Sequence, residues 1–309
     1  MADRLYDRRA RVTFASPTST TKTTQTTGDI RVDYTTVTSD VLVVEAGEGG
    51  ERPAGLRISF KVTKTDGKEP NTAEIVVTNL NDDSRGLIQK KGTKIILEAG
   101  YASTGVSRIW RGDARTVDNV RDGADWNSTI KGGDGERAYK LARVSESFAP
   151  GTQAGAILQY LANASGLQIG NTPDVVLNLT QSFDQGYVVS GQWAHEMDRF
   201  LRGTGYAWSV QDDTLQVLLP GQASTAEFPE ISPDSGLIGS PEFGSPEKKG
   251  KPALVKFRSL LQPCVPGAKL VLRSRRYNGP VRVKKISIIG DTHGAEWYTD
   301  YEGVLLSTT

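Results

Sequence analysis

Lys269-Leu270-Val271-Leu272 opens a stretch, Gly267 to Gly303, that turns at Gly294-Ala295-Glu296-Trp297 and resumes as Tyr298-Thr299-Asp300-Tyr301-Glu302. An echo of it stands earlier, between Thr93 and Gly133. There Lys94-Ile95-Ile96-Leu97 opens the run, Gly123-Ala124-Asp125-Trp126 makes the turn, and Asn127-Ser128-Thr129-Ile130-Lys131 alternates after it. Each copy reads as a basic residue, an apolar strand, a second strand and a hairpin into a tryptophan. This predicts one antiparallel β-unit used twice, against the competing reading of two common hairpins that coincide.

Working outward, Leu56, Ile58, Phe60 and Val62 alternate with Arg57, Ser59, Lys61 and Thr63, the pattern of a strand with one face buried. Lys64 to Asn71 turns the chain, and Ala73, Ile75 and Val77 repeat the pattern on the return. Asn79-Leu80-Asn81-Asp82-Asp83-Ser84-Arg85 supplies helix-capping side chains, so one or two helical turns are expected there, plugging the end of a small barrel. Arg9 to Phe14 reads as a short edge strand. Ser16 to Thr27, mostly Thr and Ser, reads as an exposed linker, and Ala46 to Pro53 reads as a loop because nothing in it can pack.

At Glu136 the composition shifts. Thr152 to Ala164 places Ile157, Leu158 and Leu161 on one helical face with Gly166 past the end. Ser190 to Arg202 does the same with Trp193, Met197, Phe200 and Leu201, and Gly203 is expected to stop it. A hairpin, Ala207 to Val210 and Leu215 to Leu218 about Asp212-Asp213, closes this part. The expected fold class is mainly β with a small α+β middle part: two tube-like β-barrels plus an inserted α/β domain. The expected divisions are an N-terminal strand and Thr-rich linker over 1–28, a first barrel over 29–135, an α+β domain over 136–225 and a second barrel over 226–309.

Composition narrows the function. The chain of 309 residues carries 37 Lys and Arg against 36 Asp and Glu, so no global field holds a polyanion or a membrane, and a nucleic-acid role must be local or weak. One cysteine cannot form an intrachain bridge. No apolar run reaches the roughly 20 residues that span a bilayer, and the opening Met-Ala-Asp-Arg-Leu-Tyr has no hydrophobic signal core.

Catalytic and metal motifs are thin. His195-Glu196 needs a second histidine one turn on for a zinc site, and Arg199 stands there, so His195 reads as a packing or hydrogen-bonding side chain. Asp113, Asp118, Asp122 and Asp125 form a carboxylate group that strand alternation and a solvated turn also explain. Neither a catalytic residue, a cofactor site nor a metal site is assigned. The one basic cluster is Arg273, Arg275 and Arg276 with Arg282, Lys284 and Lys285, which could meet phosphate, an acidic partner or a neighbouring subunit; solvated strand surface is the plainer reading. Without flanking aromatic platforms it is a poor single-strand binder.

Leu56-Arg57-Ile58-Ser59-Phe60-Lys61-Val62, followed by Glu69-Pro70-Asn71-Thr72-Ala73-Glu74-Ile75 and Asn79-Leu80, resembles the first barrel of baseplate hub proteins from long-tailed bacteriophages. Gly236-Leu237-Ile238-Gly239-Ser240-Pro241, then Phe257 to Leu261 with Pro263 and Pro266-Gly267, and Gly290-Asp291-Thr292 before Trp297, is similar to the second barrel of that family, related to the late control D proteins. Glu242 to Lys251 is longer and more lysine-rich than the family pattern.

The resemblance implies a structural, non-enzymatic homotrimer whose two barrels per chain make a pseudo-sixfold ring in the virion's tail baseplate, assembled in the host cytoplasm. The implied partners are the hexameric tail tube or distal tail protein, a central tip or spike and the tape-measure protein, with DNA passing through. Two other readings remain open: a cell-wall hydrolase at the tail tip using Asp113 or Asp118, and a carbohydrate-binding β-module, which would need exposed aromatics in a groove.

Overall fold

The computed structural model describes residues 7–306 apart from 28–29, 50–51, 220, 225–227, 229 and 245–252. Most of the Glu242–Lys251 segment therefore lies outside the described residues. The first strands are β1 (Arg8–Thr27), β2 (Ile30–Gly49), β3 (Arg52–Gly55), β4 (Ile58–Thr65) and β5 (Thr72–Thr78). Helix α1 (Asp82–Ile88) leads to β6 (Lys94–Tyr101), β7 (Gly105–Asp122) and β8 (Asp125–Gly133).

The middle of the chain holds α2 (Glu136–Leu141), β9 (Arg143–Phe148), β10 (Thr152–Gln153), α3 (Ala154–Ala164), β11 (Gln168–Ile169) and α4 (Thr172–Asn178). It continues with β12 (Ser182–Phe183), β13 (Tyr187–Gln192), α5 (Trp193–Arg202), β14 (Ala207–Gln211) and β15 (Thr214–Leu218). The last strands are β16 (Leu237–Gly244), β17 (Leu254–Leu260), β18 (Lys269–Arg273), β19 (Asn278–Asp291) and β20 (Trp297–Leu305).

Strand order exposes a duplication. Five strands of the first half run β4-β5-β8-β7-β6, and five of the second run β16-β17-β20-β19-β18. The two orders are the same, and the register of β7 against β8 agrees residue by residue with that of β19 against β20. Arg115 is the extra residue of a bulge in β7 against β8; Lys284 is the extra residue of a bulge in β19 against β20. Six residues beyond each bulge the strand faces a tryptophan, Arg121 opposite Trp126 and Gly290 opposite Trp297. Two residues before each bulge it faces the opening lysine, Asp113 opposite Lys94 and Arg282 opposite Lys269. The β-unit expected from the sequence is thus present twice, and its bulges fall where the strand leaves its first neighbour on one edge, β6 for β7 and β18 for β19.

The two units share one sheet. β4 pairs antiparallel with the far half of β19, from Thr65 opposite Lys285 to Ser59 opposite Asp291, which makes the 13-stranded sheet continuous. Among the described residues its path is open and ends on β16 and β3. One core runs beneath both units, with Ile58, Phe60, Val62, Ile75, Trp110 and Ile130 of the first packed with Val283, Ile286, Ile288, Trp297 and Tyr301 of the second. Burying each such side chain stabilises the fold by about 1.5–3 kcal/mol.

Three expectations are corrected. Arg9 to Phe14 is interior, with β2 on one side and β6 on the other. Ser16 to Thr27 is not a linker but continues β1, paired with β2 as far as Thr27 opposite Ile30, and from Ser16 on β2 is its one strand neighbour among the described residues. On either side of residues 50–51, which lie outside the described residues, the segment read as a loop from Ala46 to Pro53 is paired backbone as well, since Ala46 faces Gly55 and Glu48 faces Pro53. In each case a ladder satisfies the backbone N–H and C=O groups, in Arg9 to Phe14 with Ala10, Val12 and Phe14 buried in the core besides, and in Ser16 to Thr27 β-branched threonine favours it.

Helix α1 starts as expected, with Ser84 N–H donating to Asn81 Oδ1 at 2.8 Å, and it buries Ile88. The middle segment builds a second core from Ile157, Leu158, Leu161, Trp193, Met197, Phe200 and Val217. Gly166 follows α3 with φ +69°, as a helix stop requires. Ser190 to Gln192 belongs to β13, so α5 starts only at Trp193.

Candidate functional site

Two places in this molecule concentrate chemistry that packing alone does not demand. The first is the tip of the β14–β15 hairpin. Asp212 and Asp213 both adopt positive φ, 55° and 61°, which turns the chain in two residues and aims both carboxylates at the ends of the first unit's strands. Lys64, at the end of β4, donates to both Asp212 oxygens at 2.7 Å. Arg111 N–H of β7 donates to Asp212 Oδ1 at 3.1 Å, Gly135 N–H to Asp213 Oδ1 at 2.9 Å and Lys94 Nζ to Asp213 Oδ2 at 3.1 Å.

Asp134 completes this knot. It accepts from Asn71 N–H at 2.8 Å, Asn71 Nδ2 at 2.9 Å and Asp212 N–H at 3.1 Å. Burial pushes its carboxyl up to about 7, outweighing the Asn71 hydrogen bonds that favour the anion, with the neighbouring Asp212 charge adding to the rise. Asn71 also donates to Val210 C=O at 2.8 Å, and Gln211 donates to Thr65 C=O at 2.8 Å. The knot fastens the second core to the sheet by polar bonds whose geometry fixes orientation as well as distance.

The second place is the junction of the two units. Phe60 of β4 stands opposite Gly290 of β19, where a Cβ would collide with its ring. Trp297 packs edge-on against Phe60, centroids 5.5 Å apart, and Arg8 lies 5.9 Å from the indole centroid. Arg57 clasps Asp291 with Nη2 2.5 Å from Oδ2, and Ile58 N–H donates to Thr292 Oγ1 at 3.0 Å. Glycine opposite an aromatic residue on the neighbouring strand leaves room for the ring to lie across the pair.

The sequence-derived cluster of basic residues spreads over several environments. Arg282 is buried, reaching Asp66 at 2.7 Å and Gln222 C=O at 2.8 Å. Arg273 pairs with Glu230 at 2.5 Å and Lys285 lies 3.6 Å from Glu302. Arg275 and Arg276 sit exposed in the turn before β19, and Lys284 occupies the bulge, where its carbonyl accepts from Asp66 N–H at 2.9 Å.

Gly236, with φ +109°, ends a short 3-10 turn; Leu237, Ile238, Gly239, Ser240 and Pro241 then form the start of β16. Trp297 lies in the junction.

The carboxylates weighed for hydrolysis are held apart. Asp113 is buried 2.9 Å from Lys94, while Asp118 is exposed farther along β7, and Asp122 and Asp125 face each other across the hairpin turn. Burial raises the Asp113 carboxyl, with Lys94 opposing. His195 is exposed on α5, which corrects the packing half of its reading as a packing or hydrogen-bonding side chain, and its neighbour Glu196 is buried beside Arg199. Among the described residues no group of three His, Cys, Asp or Glu is placed to hold a metal ion, and no helix is long and apolar enough to cross a membrane. Trp110, Trp193, Trp208 and Trp297 are buried, and Trp126 lies under Arg85 at 4.4 Å, so no indole lines a groove as a sugar-binding module would need.

Sequence reasoning missed the knot. Its one local signal was the Asp212-Asp213 turn; its partners Lys64, Asn71, Lys94 and Asp134 are scattered over the first unit.

No protein-family model matches the chain, and no curated protein does. Solved structures do. The 43 kDa tail protein of prophage MuSo2 from Shewanella oneidensis superposes with a TM-score of 0.56 at 8% identity, over 84% of this chain and 96% of that one. A tail protein from Neisseria meningitidis gives 0.53 at 7%, over 82% and 94%. An Escherichia coli type VI secretion component, itself described as similar to phage T4 tail proteins, gives 0.54 at 7%, over 81% and 74%. At these identities the likeness is one of fold, and that fold is the one found in phage tail proteins.

Proposed function

We propose that this chain is the structural hub of a phage tail baseplate or tail tip. Three copies, each contributing two β-units, form a pseudo-sixfold ring that meets the hexameric tail tube or distal tail protein on one side and the central tip or spike on the other. Its lumen passes the tape-measure protein and the DNA. In this reading residues 29–135 and 226–309 are the two tube-like barrel domains, completed by neighbours in the ring, 136–225 is an α+β domain standing on the first, and 1–28 is an N-terminal strand and arm. The protein resides in the virion tail after assembly in the host cytoplasm, and it works by shape and attachment, with no reaction of its own.

The observation that carries the reading is the repeated five-strand order, with matching bulges, joined edge to edge through β4 and β19. Two near-equivalent units in one chain are what a threefold assembly needs to present sixfold geometry. The near-neutral charge suits a channel wall, since a strongly basic one would retain DNA. Imaging of the purified protein down its axis tests it. Six similar lobes with a threefold repeat are expected, and solitary two-lobed particles at every concentration would refute it.

A further inference from the structure

We propose that β16 of one copy adds antiparallel to the far half of β7 in the next copy, repeating between chains the junction that β4 makes with β19 inside one chain. This rests on the ring reading and says which edges close it. β19 has two neighbours along one edge: β18 takes Asn278 to Arg282, and β4 takes Lys285 to Asp291. Its counterpart β7 has β6 along Gly105 to Asp113, but from Thr116 to Asp122 no strand pairs with that edge among the described residues. The counterpart of β4 is β16, which among the described residues pairs only with β17 and ends the sheet. Among the described residues β16 and the far half of β7 are thus both open, and of the chain's open edges they are the two halves of a junction it has already made once.

Exposure marks the same places. Val62 in β4, flanked by β19 and packed in the core, is 0% exposed, whereas Phe243, its counterpart in β16, is 38% exposed. Ile238 of β16 is 41% exposed and Val120 of β7 60%. Long bare edges with apolar side chains invite strand addition, and a head-to-tail contact of unlike edges generates a ring when its rotation closes.

The register follows from the duplication. Ser287 opposite Thr63, Ile288 opposite Val62 and Ile289 opposite Lys61 become Asp118 opposite Gly244, Asn119 opposite Phe243 and Val120 opposite Glu242. Bulk is exchanged across it: inside the chain Phe60 covers Gly290, and between chains Arg121 would lie across the small stretch Gly239-Ser240-Pro241.

Paired cysteines read this directly. In the full chain carrying Val120→Cys and Glu242→Cys, with the buried Cys264 left in place, mild oxidation should link chains into a ladder that ends at three. Either single variant should stay unlinked, and Val120→Cys with Gly244→Cys should link far more slowly, since the sulfurs would be a residue pair out of reach. A three-copy ring that fails to link through Val120→Cys and Glu242→Cys overturns the edge assignment while sparing the ring. A protein that remains a single chain overturns both.

Discussion

Lys64 and Asp212, far apart in sequence, meet with Nζ 2.7 Å from both carboxylate oxygens, and the lysine side chain is only 1% exposed. A buried pair of this kind costs desolvation to form, yet removing one partner strands the other charge in a low-dielectric site. Lys64→Met should therefore destabilise the protein by about 3–5 kcal/mol, measured by urea unfolding. Adding Asp212→Asn, which keeps a side chain tolerant of positive φ, should recover most of that loss.

Asp134 gives the knot a pH dependence. Its carboxyl is raised by burial to about 7 from an ordinary value of 3.8, so the folded state holds a proton the unfolded chain releases. That contribution is fully present below about pH 4 and fades as pH rises through about 7. Melting temperature should fall between pH 5 and pH 8, and Asp134→Asn should flatten the change. An unaltered slope in that variant would assign the dependence to other groups.

The equivalent tryptophans should respond unequally. Trp297 is 3% exposed among Phe60, Tyr101 and Arg8, so Trp297→Ala should cost about 3–5 kcal/mol. Trp126 is half-buried in a hairpin with Arg85 over its ring, and Trp126→Ala should cost about 1 kcal/mol. Parallel denaturation curves of the two variants provide the comparison.

Gly290→Ala should cost about 1–3 kcal/mol, since its methyl group collides with the Phe60 ring and forces β4 away from β19. If the junction is what overlaps the units, Phe60→Leu in the same chain should restore part of the loss. Chemical denaturation of the single and double variants measures the coupling.

Local pattern carried much of this fold. The alternation from Leu56 to Thr63, the Asn81 cap, the apolar faces of α3 and α5 and the Asp212-Asp213 turn were each legible because neighbours in sequence are neighbours in space. The doubled unit was legible too, from Lys94 and Trp126 against Lys269 and Trp297. What escaped was pairing that no alternation of apolar residues announces, above all the extension of β1 through its Thr-rich half. The Lys64–Asp212 knot escaped for another reason, because nothing near Lys64 announces a partner that only the folded topology delivers. The basic residues from Arg273 to Lys285 look like one patch when strands are imagined flat, but the bulge at Lys284 and the inward turn of Arg282 toward Asp66 divide them.

Native mass spectrometry of the full chain tests the ring most directly. The account predicts a dominant species of three copies of the 33.4 kDa chain, with neither two-copy nor open-ended series accumulating. A single-chain mass that persists as concentration rises would contradict it.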